Sequence, residues 1–522
     1  MSTPIQYDDL PMYWIGDWAG RRAAVTPRRV ALLDAATDCR YTYAEMNDRA
    51  CRVGTYLTDR LGLKKGDIVC FIARNRIEAV DLYLACGKTG IILAPLSHRL
   101  TKRELDDLIG RIRPQALIHE DVFAALADSL ELPETVRHRL VWSDEDSIWE
   151  REVLATPPRD DVNVPLAQSD PYLYIHTGGT TALPKICVVS YRQMLWNSLE
   201  IIVTSSGALA QQRELLTFPL FHIGGWNTIT PIYHAGGYTV LLREFDPGQV
   251  LELIEREQIT HFGAVEAMLL FLARHSRFRE TRLDSLHGIT TAGAPCSPAA
   301  MRPFWERGIP VTQSYGLTEA GPSNFTYVGI DHSLDEIWTH NASIGTPFFH
   351  CDYQIVDQQT LQPVPRGEVG VLCMRSLHNF DGYLDQPERT QEVLLDGGWV
   401  YSGDLAREDE KGYVYIVGRA DNMFITGGEN VSPEEVENVL REHPSVAEVA
   451  VLGVPDENWG QVPLALIVPK PGCEVSIQAL REHCRRYLAG YKIPRRFQVV
   501  EELPMAGPGK VDRKLLKAQY ES

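Results

Sequence analysis

The sequence lacks the cysteine spacing of zinc sites and disulfide frameworks, the long apolar runs of membrane spans, and the basic blocks of nucleic-acid-binding proteins. Its ten cysteines are scattered through 522 residues and never occur as C-x-x-C, which argues against a zinc site or a disulfide framework in so long a chain. No apolar run approaches the length of a membrane span. No block of lysines and arginines resembles those that bind nucleic acid or acidic lipid. We therefore expect neither a resident zinc, nor a membrane span, nor a nucleic-acid partner.

The overall composition is that of an ordinary soluble protein. Hydrophobic residues make up 44% and charged residues 23% of the chain, and the formal net charge is −18. The first residues include Asp8 and Asp9, where a signal peptide would carry bases before an apolar core. We expect a cytoplasmic protein of more than one domain, whose oligomeric state the composition does not determine.

Helix and strand patterns alternate through the first part of the chain, which predicts parallel sheets covered by helices. Thr101 followed by Glu104 is a capping-box pattern that opens a further helix. The predicted helices are 43–61, 77–88, 224–233 and 247–257, and the predicted strands are 67–72, 91–95, 116–119, 215–219, 238–242 and 261–264.

From about residue 351 the pattern changes to short β runs, and the last hundred residues show an α+β pattern. Ser432 is predicted to cap a helix with Pro433 in its first turn. Strands are predicted at 446–454 and 463–469, and a helix at 476–488. A boundary near 418–421 divides the chain into a large region, 1–417, and a small domain, 422–522.

One short segment carries most of the candidate chemistry. Between Thr177 and Lys185 the sequence is rich in threonine and glycine and ends in a proline and a single lysine. Glycines let the backbone approach a ligand, and clustered N–H and hydroxyl donors bind anions. The lysine adds a positive charge for a phosphate. The nucleoside-triphosphatase spacing G-x-x-x-x-G-K-[ST] is missing. By itself the segment is either a polyphosphate loop or a surface turn.

Further motifs follow in a fixed order, and together they resemble the adenylate-forming superfamily of acyl-CoA synthetases, peptide-synthetase adenylation domains and luciferases. The resemblance extends from about residue 15 to the C-terminus. It implies a large N-terminal domain of helix-covered sheets with a distorted β-barrel subdomain, and a small mobile α+β C-terminal domain. The motifs are Gln313–Gly321, Ser343–Pro347, Tyr401–Leu405, Gly418–Val431 and Pro508–Arg513.

The resemblance implies a two-step reaction with ATP, Mg²⁺ and CoA. A carboxylate attacks the α-phosphorus of ATP and releases pyrophosphate, and a thiol then attacks the acyl-adenylate. The residues that would hold the β- and γ-phosphates are Thr177, Gly178, Gly179, Thr180, Thr181 and Lys185. The chain departs from the common pattern here, since Gly178 replaces a serine and Ala182 replaces a glycine.

By the same resemblance, Thr318 and Glu319 contact the α-phosphate and Mg²⁺, and Tyr315 stacks on adenine. The loop Gly293, Ala294 and Pro295 lies on the other side of the base, and Asp404 and Arg419 bind the ribose. Taken singly, these residues would also suit helix caps and turns.

Lys510 lies in a glycine-rich segment, where a lysine alone would suggest a solvated tail. The resemblance implies that it bridges the substrate carboxylate and the α-phosphate. A cation there offsets the repulsion between two anions. Asp421 matches the hinge at 418–421, about which the small domain turns after adenylation. Gly428 matches a loop that then meets the thiol tunnel.

His222 matches a residue that gates the carboxylate pocket, and Trp226 and Asn227 are candidate walls of that pocket. Amino-acid-activating relatives carry an aspartate in this segment, and its absence favours an acyl or aryl acid. A further departure, Ser190–Tyr191 in place of Thr-His, marks a divergent member. Three interpretations stay open: a carboxylate–CoA ligase; an enzyme that passes its acyl-adenylate to a carrier protein or a separate ligase, with a luciferase-like oxidative use as a rarer variant; and a catalytically silent nucleotide-binding regulator.

Overall fold

The structure is a computed structural model that describes residues 7–145, 147–159, 161–177, 184–328, 332–426, 429–456, 459–488, 490–507 and 510–520. The chain forms two compact units. The first comprises residues 1–352 and 374–400, and the second comprises residues 353–373 and 401–522. Within the described ranges, no helix is both long and apolar enough to cross a bilayer.

The helices, numbered in chain order, are α1 Trp18–Val25, α2 Tyr43–Thr55, α3 Ile77–Thr89, α4 Lys102–Ile112, α5 Ala124–Ser129, α6 Tyr191–Thr204, α7 Ile223–Ala235, α8 Pro247–Glu257, α9 Glu266–Arg274, α10 Pro298–Trp305, α11 Leu334–Thr339, α12 Pro387–Val393, α13 Pro433–Arg441, α14 Ile477–Tyr487 and α15 Arg513–Tyr520.

The strands are β1 Val30–Asp34, β2 Cys39–Thr42, β3 Ile68–Ile72, β4 Ile92–Leu96, β5 Ala116–Glu120, β6 His138–Trp142, β7 Pro171–Thr177, β8 Lys185–Ser190, β9 Arg213–Leu216, β10 Tyr238–Leu241, β11 His261–Ala264, β12 Gly288–Thr291, β13 Val311–Tyr315, β14 Phe325–Thr326, β15 Thr346–Pro347, β16 Asp352–Val356, β17 Gly370–Arg375, β18 Leu394–Leu395, β19 Trp399–Glu408, β20 Val414–Arg419, β21 Phe424–Thr426, β22 Glu429–Val431, β23 Val446–Asp456, β24 Gly460–Pro469, β25 Arg496–Val499, β26 Met505–Gly507 and β27 Lys510–Val511.

Two large sheets organise the first unit. One has the strand order β15-β14-β13-β12-β11-β9-β10-β1-β2, and its strands β13, β12, β11, β9, β10 and β1 run parallel. The other has the order β6-β5-β3-β4-β7-β8, in which only β8 is antiparallel to its neighbour. Because helices connect most of the parallel strands, the predicted helix-covered sheets are confirmed.

Local signals explain many of the element ends. The capping box predicted at Thr101 and Glu104 is formed, since each side chain accepts a hydrogen bond from the other residue's amide. One predicted strand is too long, because β9 ends at Leu216 and not at residue 219. After Leu216 the backbone bonds to the Asn75 side chain. This side chain donates to the carbonyl of Phe218 at 3.0 Å and accepts from the amide of Leu220 at 2.7 Å.

The departure at Ser190–Tyr191 has a structural role in the first unit. Ser190 caps α6, and its side chain accepts from the amide of Gln193. Tyr191 is fully buried and stacks on Tyr172 with ring centroids 4.4 Å apart. Its hydroxyl donates to the carbonyl of Cys86 at 3.1 Å. The tyrosine is therefore a core residue, and burying so large an aromatic stabilises the fold by roughly 2 kcal/mol.

The second unit contains a curled sheet and a smaller α+β body. Strands β16, β17, β19 and β20 form the first, with β19 and β20 antiparallel. Strands β22, β21, β24, β23 and β25 form a sheet beside α13 and α14. The predicted boundary at 418–421 falls within this unit and stays a prediction.

The helix predicted after Ser432 is present, but Ser432 does not cap it with its side chain. Its hydroxyl instead donates to the carbonyl of Val417 at 2.8 Å and lies 3.0 Å from a carboxylate oxygen of Glu434. A hydroxyl donor that is engaged in this way is turned from the helix amides, so the expected cap is wrong although the helix start is right.

Candidate active site

The predicted phosphate loop connects two antiparallel strands in the first unit. β7 ends at Thr177 and β8 begins at Lys185, and these two residues are paired across the ladder. The two described ends of the motif, Thr177 and Lys185, are therefore opposite each other. The loop residues Gly178, Gly179, Thr180 and Thr181, together with Ala182, lie outside the described residues, and their predicted roles stay predictions.

A segment from much later in the chain lies along β8. The amide of Val188 donates to the carbonyl of Gly382, and the amide of Leu384 donates to the carbonyl of Ile186, both at 2.9 Å. Tyr383 is bridged to Cys187 in antiparallel fashion. These bonds place the Tyr383 ring close to the first residue of β8, Lys185.

Tyr383 connects the phosphate-loop lysine to the predicted metal carboxylate. Its hydroxyl donates to Oε1 of Glu319 at 2.7 Å, and Nζ of Lys185 lies 3.4 Å from the same hydroxyl. The ammonium also lies 4.7 Å from the centre of the tyrosine ring, in a cation–π contact. Burial and the adjacent Glu319 carboxylate raise the pKa of Tyr383, so the phenol stays protonated and acts as the donor.

The turn that carries Thr318 and Glu319 is held by its backbone. Thr318–Ala320 forms one turn of 3₁₀-helix after β13. Nε2 of the buried Gln193 on α6 donates to the carbonyl of Thr318 at 2.8 Å, and the amide of Phe380 donates to the carbonyl of Glu319 at 2.9 Å. Thr318 is buried and Glu319 is half-buried. Fixed in this way, the turn presents the Glu319 carboxylate in a defined direction.

The oxygen ligand that this turn offers, the Glu319 carboxylate, suits Mg²⁺ bound together with a nucleotide. In the part of the chain that the structure describes, no group of three or more histidine, cysteine, aspartate or glutamate side chains is placed to hold a metal. Mg²⁺ in phosphate sites usually takes one or two carboxylates and completes its shell with phosphate oxygens and water. A single carboxylate oriented by Tyr383 meets that requirement.

The adenine-site candidates lie at the carboxyl ends of neighbouring parallel strands. Tyr315 is the last residue of β13, and its half-buried ring meets Phe325 edge-on. Gly293 follows β12 with φ +84°, a conformation that favours glycine. Ala294 and Pro295 after it are exposed. In open α/β sheets ligands bind at this edge, so the predicted adenine position is geometrically reasonable.

His222 lies in the connection between β9 and α7. Its side chain is solvent-accessible although many protein atoms surround it, as expected of a residue that lines a cleft. The surrounding atoms lower the pKa of His222, which favours a neutral imidazole. Burial, with a smaller contribution from His222, lowers the pKa of the nearby His176 to about 4. Ring nitrogen Nε2 of His176 accepts from the amide of Ser97 at 3.1 Å.

The two candidate pocket walls differ in burial. Trp226 is fully buried in the core and stacks on Tyr83 with ring centroids 4.4 Å apart. Asn227 is half-buried; Nδ2 of Asn197 donates to its Oδ1 at 2.5 Å, and its own Nδ2 donates to Oγ of Ser323 at 3.0 Å. Asn227 thus connects α7 to the residues that follow the Thr318–Ala320 turn. A contact of either residue with substrate stays a prediction.

The two predicted ribose residues are in contact within the second unit. Asp404 on β19 and Arg419 on β20 are opposite each other in the antiparallel ladder. Nη1 of Arg419 donates to Oδ1 of Asp404 at 2.8 Å, and Asp404 is buried. The guanidinium fork suits a carboxylate and fixes its orientation. A carboxylate oriented in this way can accept two hydroxyl hydrogen bonds.

The remaining candidates are described only in part. Lys510 begins β27, which pairs with β26, but its side chain is not among those described. Asp421 lies in the turn Ala420–Asn422, again without a described side chain. Gly428 lies outside the described residues.

No motif in the sequence points to Tyr383 or Gln193. Tyr383 is 64 residues from Glu319 and 198 from Lys185, and no local pattern signals a partner at such distances. Gln193 is one of several polar residues on α6, and its role depends on the tertiary position of the Thr318 carbonyl.

Comparison with known proteins agrees with the predicted superfamily. Residues 20–384 match the family described as AMP-binding enzyme, and residues 435–510 match the AMP-binding enzyme C-terminal domain. Feruloyl-CoA synthase from Amycolatopsis sp is 34% identical over 498 residues, 95% of this chain and 97% of that protein. The long-chain-fatty-acid–CoA ligase FadD13 of Mycobacterium tuberculosis is 31% identical over 511 residues, 97% and 98% of the two chains.

Solved structures give the same result. ATP-bound MatB from Rhodopseudomonas palustris is similar with a TM-score of 0.85 at 26% identity, covering 97% of this chain and 99% of that one. The o-succinylbenzoate CoA synthetase of Bacillus subtilis, in complex with its acyl-adenylate intermediate, is similar with a TM-score of 0.81 at 28% identity, covering 96% and 98%.

Proposed function

Because this chain belongs to the family of AMP-binding enzymes, we propose in detail how its residues carry out the reaction of a carboxylate–CoA ligase. The enzyme activates a carboxylic acid with ATP to an acyl-adenylate and releases pyrophosphate. CoA then attacks the adenylate to give an acyl-CoA thioester and AMP. The observation that carries the assignment of roles is the contact of Lys185, Tyr383 and Glu319, which connects two separate motifs of the site.

The phosphates of ATP bind between the loop that begins at Thr177 and the turn that carries Glu319. Lys185 supplies a positive charge to the β- and γ-phosphates. Glu319, with the Thr318 hydroxyl, would hold Mg²⁺, which would neutralise negative charge on the phosphates. Tyr383 contacts both Lys185 and Glu319 and fixes their relative positions. The cation and the metal ligand are therefore in place before the nucleotide binds.

The proposed nucleoside contacts involve the base and the ribose. Tyr315 stacks on adenine, and the loop Gly293–Pro295 contacts the opposite face of the base. Asp404 accepts hydrogen bonds from the ribose hydroxyls while Arg419 orients it. We therefore expect a preference for ATP over a nucleotide that lacks these hydroxyls.

Lys510 acts in the first half-reaction, where it contacts the substrate carboxylate and the α-phosphate. We propose that residues 422–522 form a mobile domain that turns about 418–421, with Asp421 as the hinge residue. The turn withdraws Lys510 and brings the Gly428 loop to the incoming thiol. Such a gating step separates two reactions that need different groups at one site.

The substrate is an acyl or aryl carboxylic acid. A neutral His222 lines the entrance of the pocket that binds it. This pocket is formed beside Trp226 and Asn227. Feruloyl, long-chain fatty acyl, indoleacetyl and 2-succinylbenzoyl groups are what the similar ligases act on by name, and these four classes form the first panel to test. CoA is the proposed thiol acceptor, and a cytoplasmic location is proposed with it.

The test is pyrophosphate release from ATP and Mg²⁺ with ferulate, palmitate, indoleacetate and 2-succinylbenzoate, with and without CoA. Wild type is compared with Lys510→Ala. We expect acid-dependent release in wild type, an acyl-CoA product when CoA is present, and loss of release in Lys510→Ala. The acid with the highest turnover defines the substrate class.

Two outcomes would contradict parts of this proposal. Pyrophosphate release without any thioester would assign the acyl group to a carrier protein or another acceptor. Tight ATP binding without release for any acid would favour the regulator.

A further inference from the structure

One carboxylate in the second unit joins the predicted hinge to the segment that carries Lys510. Glu434, in the first turn of α13, accepts a hydrogen bond on Oε1 from Nδ2 of Asn422 at 2.6 Å. The same oxygen lies 3.3 Å from Nη2 of Arg513. Asn422 is the residue after the proposed hinge residue Asp421, and Arg513 is the third residue after Lys510.

Arg513 is firmly anchored on its other side. Its Nη2 also pairs with Oε1 of Glu437 at 2.7 Å, and its Nη1 donates to the carbonyl of Val451 at 3.0 Å. Glu437 is buried and accepts from the amide of Val451 at 2.7 Å as well. Hydrogen bonds between charged groups in such a setting are short and strong. The start of α15 is therefore fixed to α13 and β23.

Lys510 lies directly before this anchor. It begins β27, and only Val511 and Asp512 separate it from Arg513. The amide of Asp512 donates to the carbonyl of Pro504 at 2.7 Å, which closes the strand pair β26–β27. With so few residues between them, the position of the Lys510 backbone follows that of Arg513.

We infer that Glu434 and Arg513 are positioning residues that tie the Lys510 segment to the C-terminal end of the hinge, so that hinge and lysine move as one body. This inference rests on the proposed function, in which Lys510 serves adenylation only. Loosening the connection displaces the lysine in the first half-reaction, and the thiol step, which does not use it, continues. Displacement by about 1 Å costs on the order of 100-fold in rate.

The experiment compares the two half-reactions in Glu434→Gln, Arg513→Lys and Asn422→Ala. Adenylation is measured as acid-dependent pyrophosphate release with the best acid of the panel above. Thioester formation is measured separately from the synthetic acyl-adenylate of that acid and CoA. We expect adenylation to fall by about 10- to 100-fold, because a misplaced cation no longer meets both anions, while thioester formation stays within about threefold of wild type.

Arg441→Gln is the matched control. Arg441 pairs with the same buried Glu437, at 3.2 Å, but it belongs to α13 and is far more exposed than Arg513. We expect it to leave the ratio of the two half-reactions unchanged. Asn422→Ala keeps every one of these charges paired, so it tests the connection even if an Arg513 variant folds poorly.

Lys510→Ala separates failure of the inference from failure of the proposed function. If Lys510→Ala retains adenylation, the role of the lysine and this inference fall together. If Lys510→Ala abolishes adenylation but the three variants reduce both half-reactions equally, or neither, the connection is overturned while the proposed function stands.

Discussion

Tyr383→Phe is the most direct test of the site. The change removes the hydroxyl that donates to Glu319 at 2.7 Å and that also accepts a long hydrogen bond from Nζ of Lys185 at 3.4 Å. It keeps the aromatic ring against which Lys185 lies, and therefore the cation–π contact. Nothing else in the ring's packing changes. The variant thus tests the short hydrogen bond that orients the proposed metal carboxylate, together with the longer one from Lys185.

The expected loss of activity in Tyr383→Phe follows from the charge on the acceptor, the Glu319 carboxylate. A hydrogen bond to a charged group contributes about 1.5–3 kcal/mol, and each 1.36 kcal/mol of transition-state stabilisation is tenfold in rate. Because Glu319 is half-buried, solvent screens part of this contribution. We therefore expect kcat/KM for adenylation to fall by about 10- to 30-fold, with a higher Mg²⁺ concentration at half-maximal activity.

The assay is pyrophosphate release at several Mg²⁺ concentrations, with binding of MgATP measured by calorimetry in parallel. Tyr415→Phe serves as the control, because the Tyr415 hydroxyl also donates to a carboxylate, Asp409, at 3.2 Å, but outside the proposed site. If Tyr383→Phe kept the wild-type Mg²⁺ dependence and rate, Tyr383 would have no role in orienting Glu319.

Three further predictions concern the nucleotide and the stability of the fold. Asp404→Asn weakens ATP binding by about 10-fold or more, because an amide replaces the carboxylate that Arg419 orients, and calorimetry with ATP measures this. Gly293→Ala costs about 1 kcal/mol through its φ of +84°, since a Cβ there has open space, so a slightly lower Tm and a few-fold higher KM for ATP are expected. Burial is the main cause that lowers the pKa of His378 to about 3 in the folded protein, below the value near 6.5 in the unfolded chain. The folded state therefore has its full stability with respect to this group above pH 6.5, and loses stability as the pH falls because the unfolded chain binds the proton more readily. In His378→Asn, the unfolding free energy should therefore depend less steeply on pH, by about 1.4 kcal/mol per pH unit, in urea titrations between pH 6 and 4. An unchanged slope would show that His378 is not neutral in the folded protein at these pH values.

Sequence and structure agree where a signal is short-range. The capping box at Thr101 and the order of helices and strands depend on residues within one or two turns, and both are formed as predicted. The end of β9 and the orientation of Ser432 were predicted wrongly because distant partners decide them: Asn75 in the first case and the carbonyl of Val417 in the second. A propensity contains no information about such partners.

The sequence by itself determined the family, the fold class and the motifs that carry the reaction, because glycine-rich loops and acidic or basic residues at fixed spacings are visible in one dimension. Only the tertiary structure decided which of these meet. Strand order brings residues 382–384 beside β8, and that placement makes Tyr383 the partner of both Glu319 and Lys185. Likewise, packing of α13 against β23 and α15 makes Glu434 the shared partner of Asn422 and Arg513. The physical reason is the same in both cases: contacts between residues far apart in the chain are set by how whole elements pack, which a local pattern does not encode.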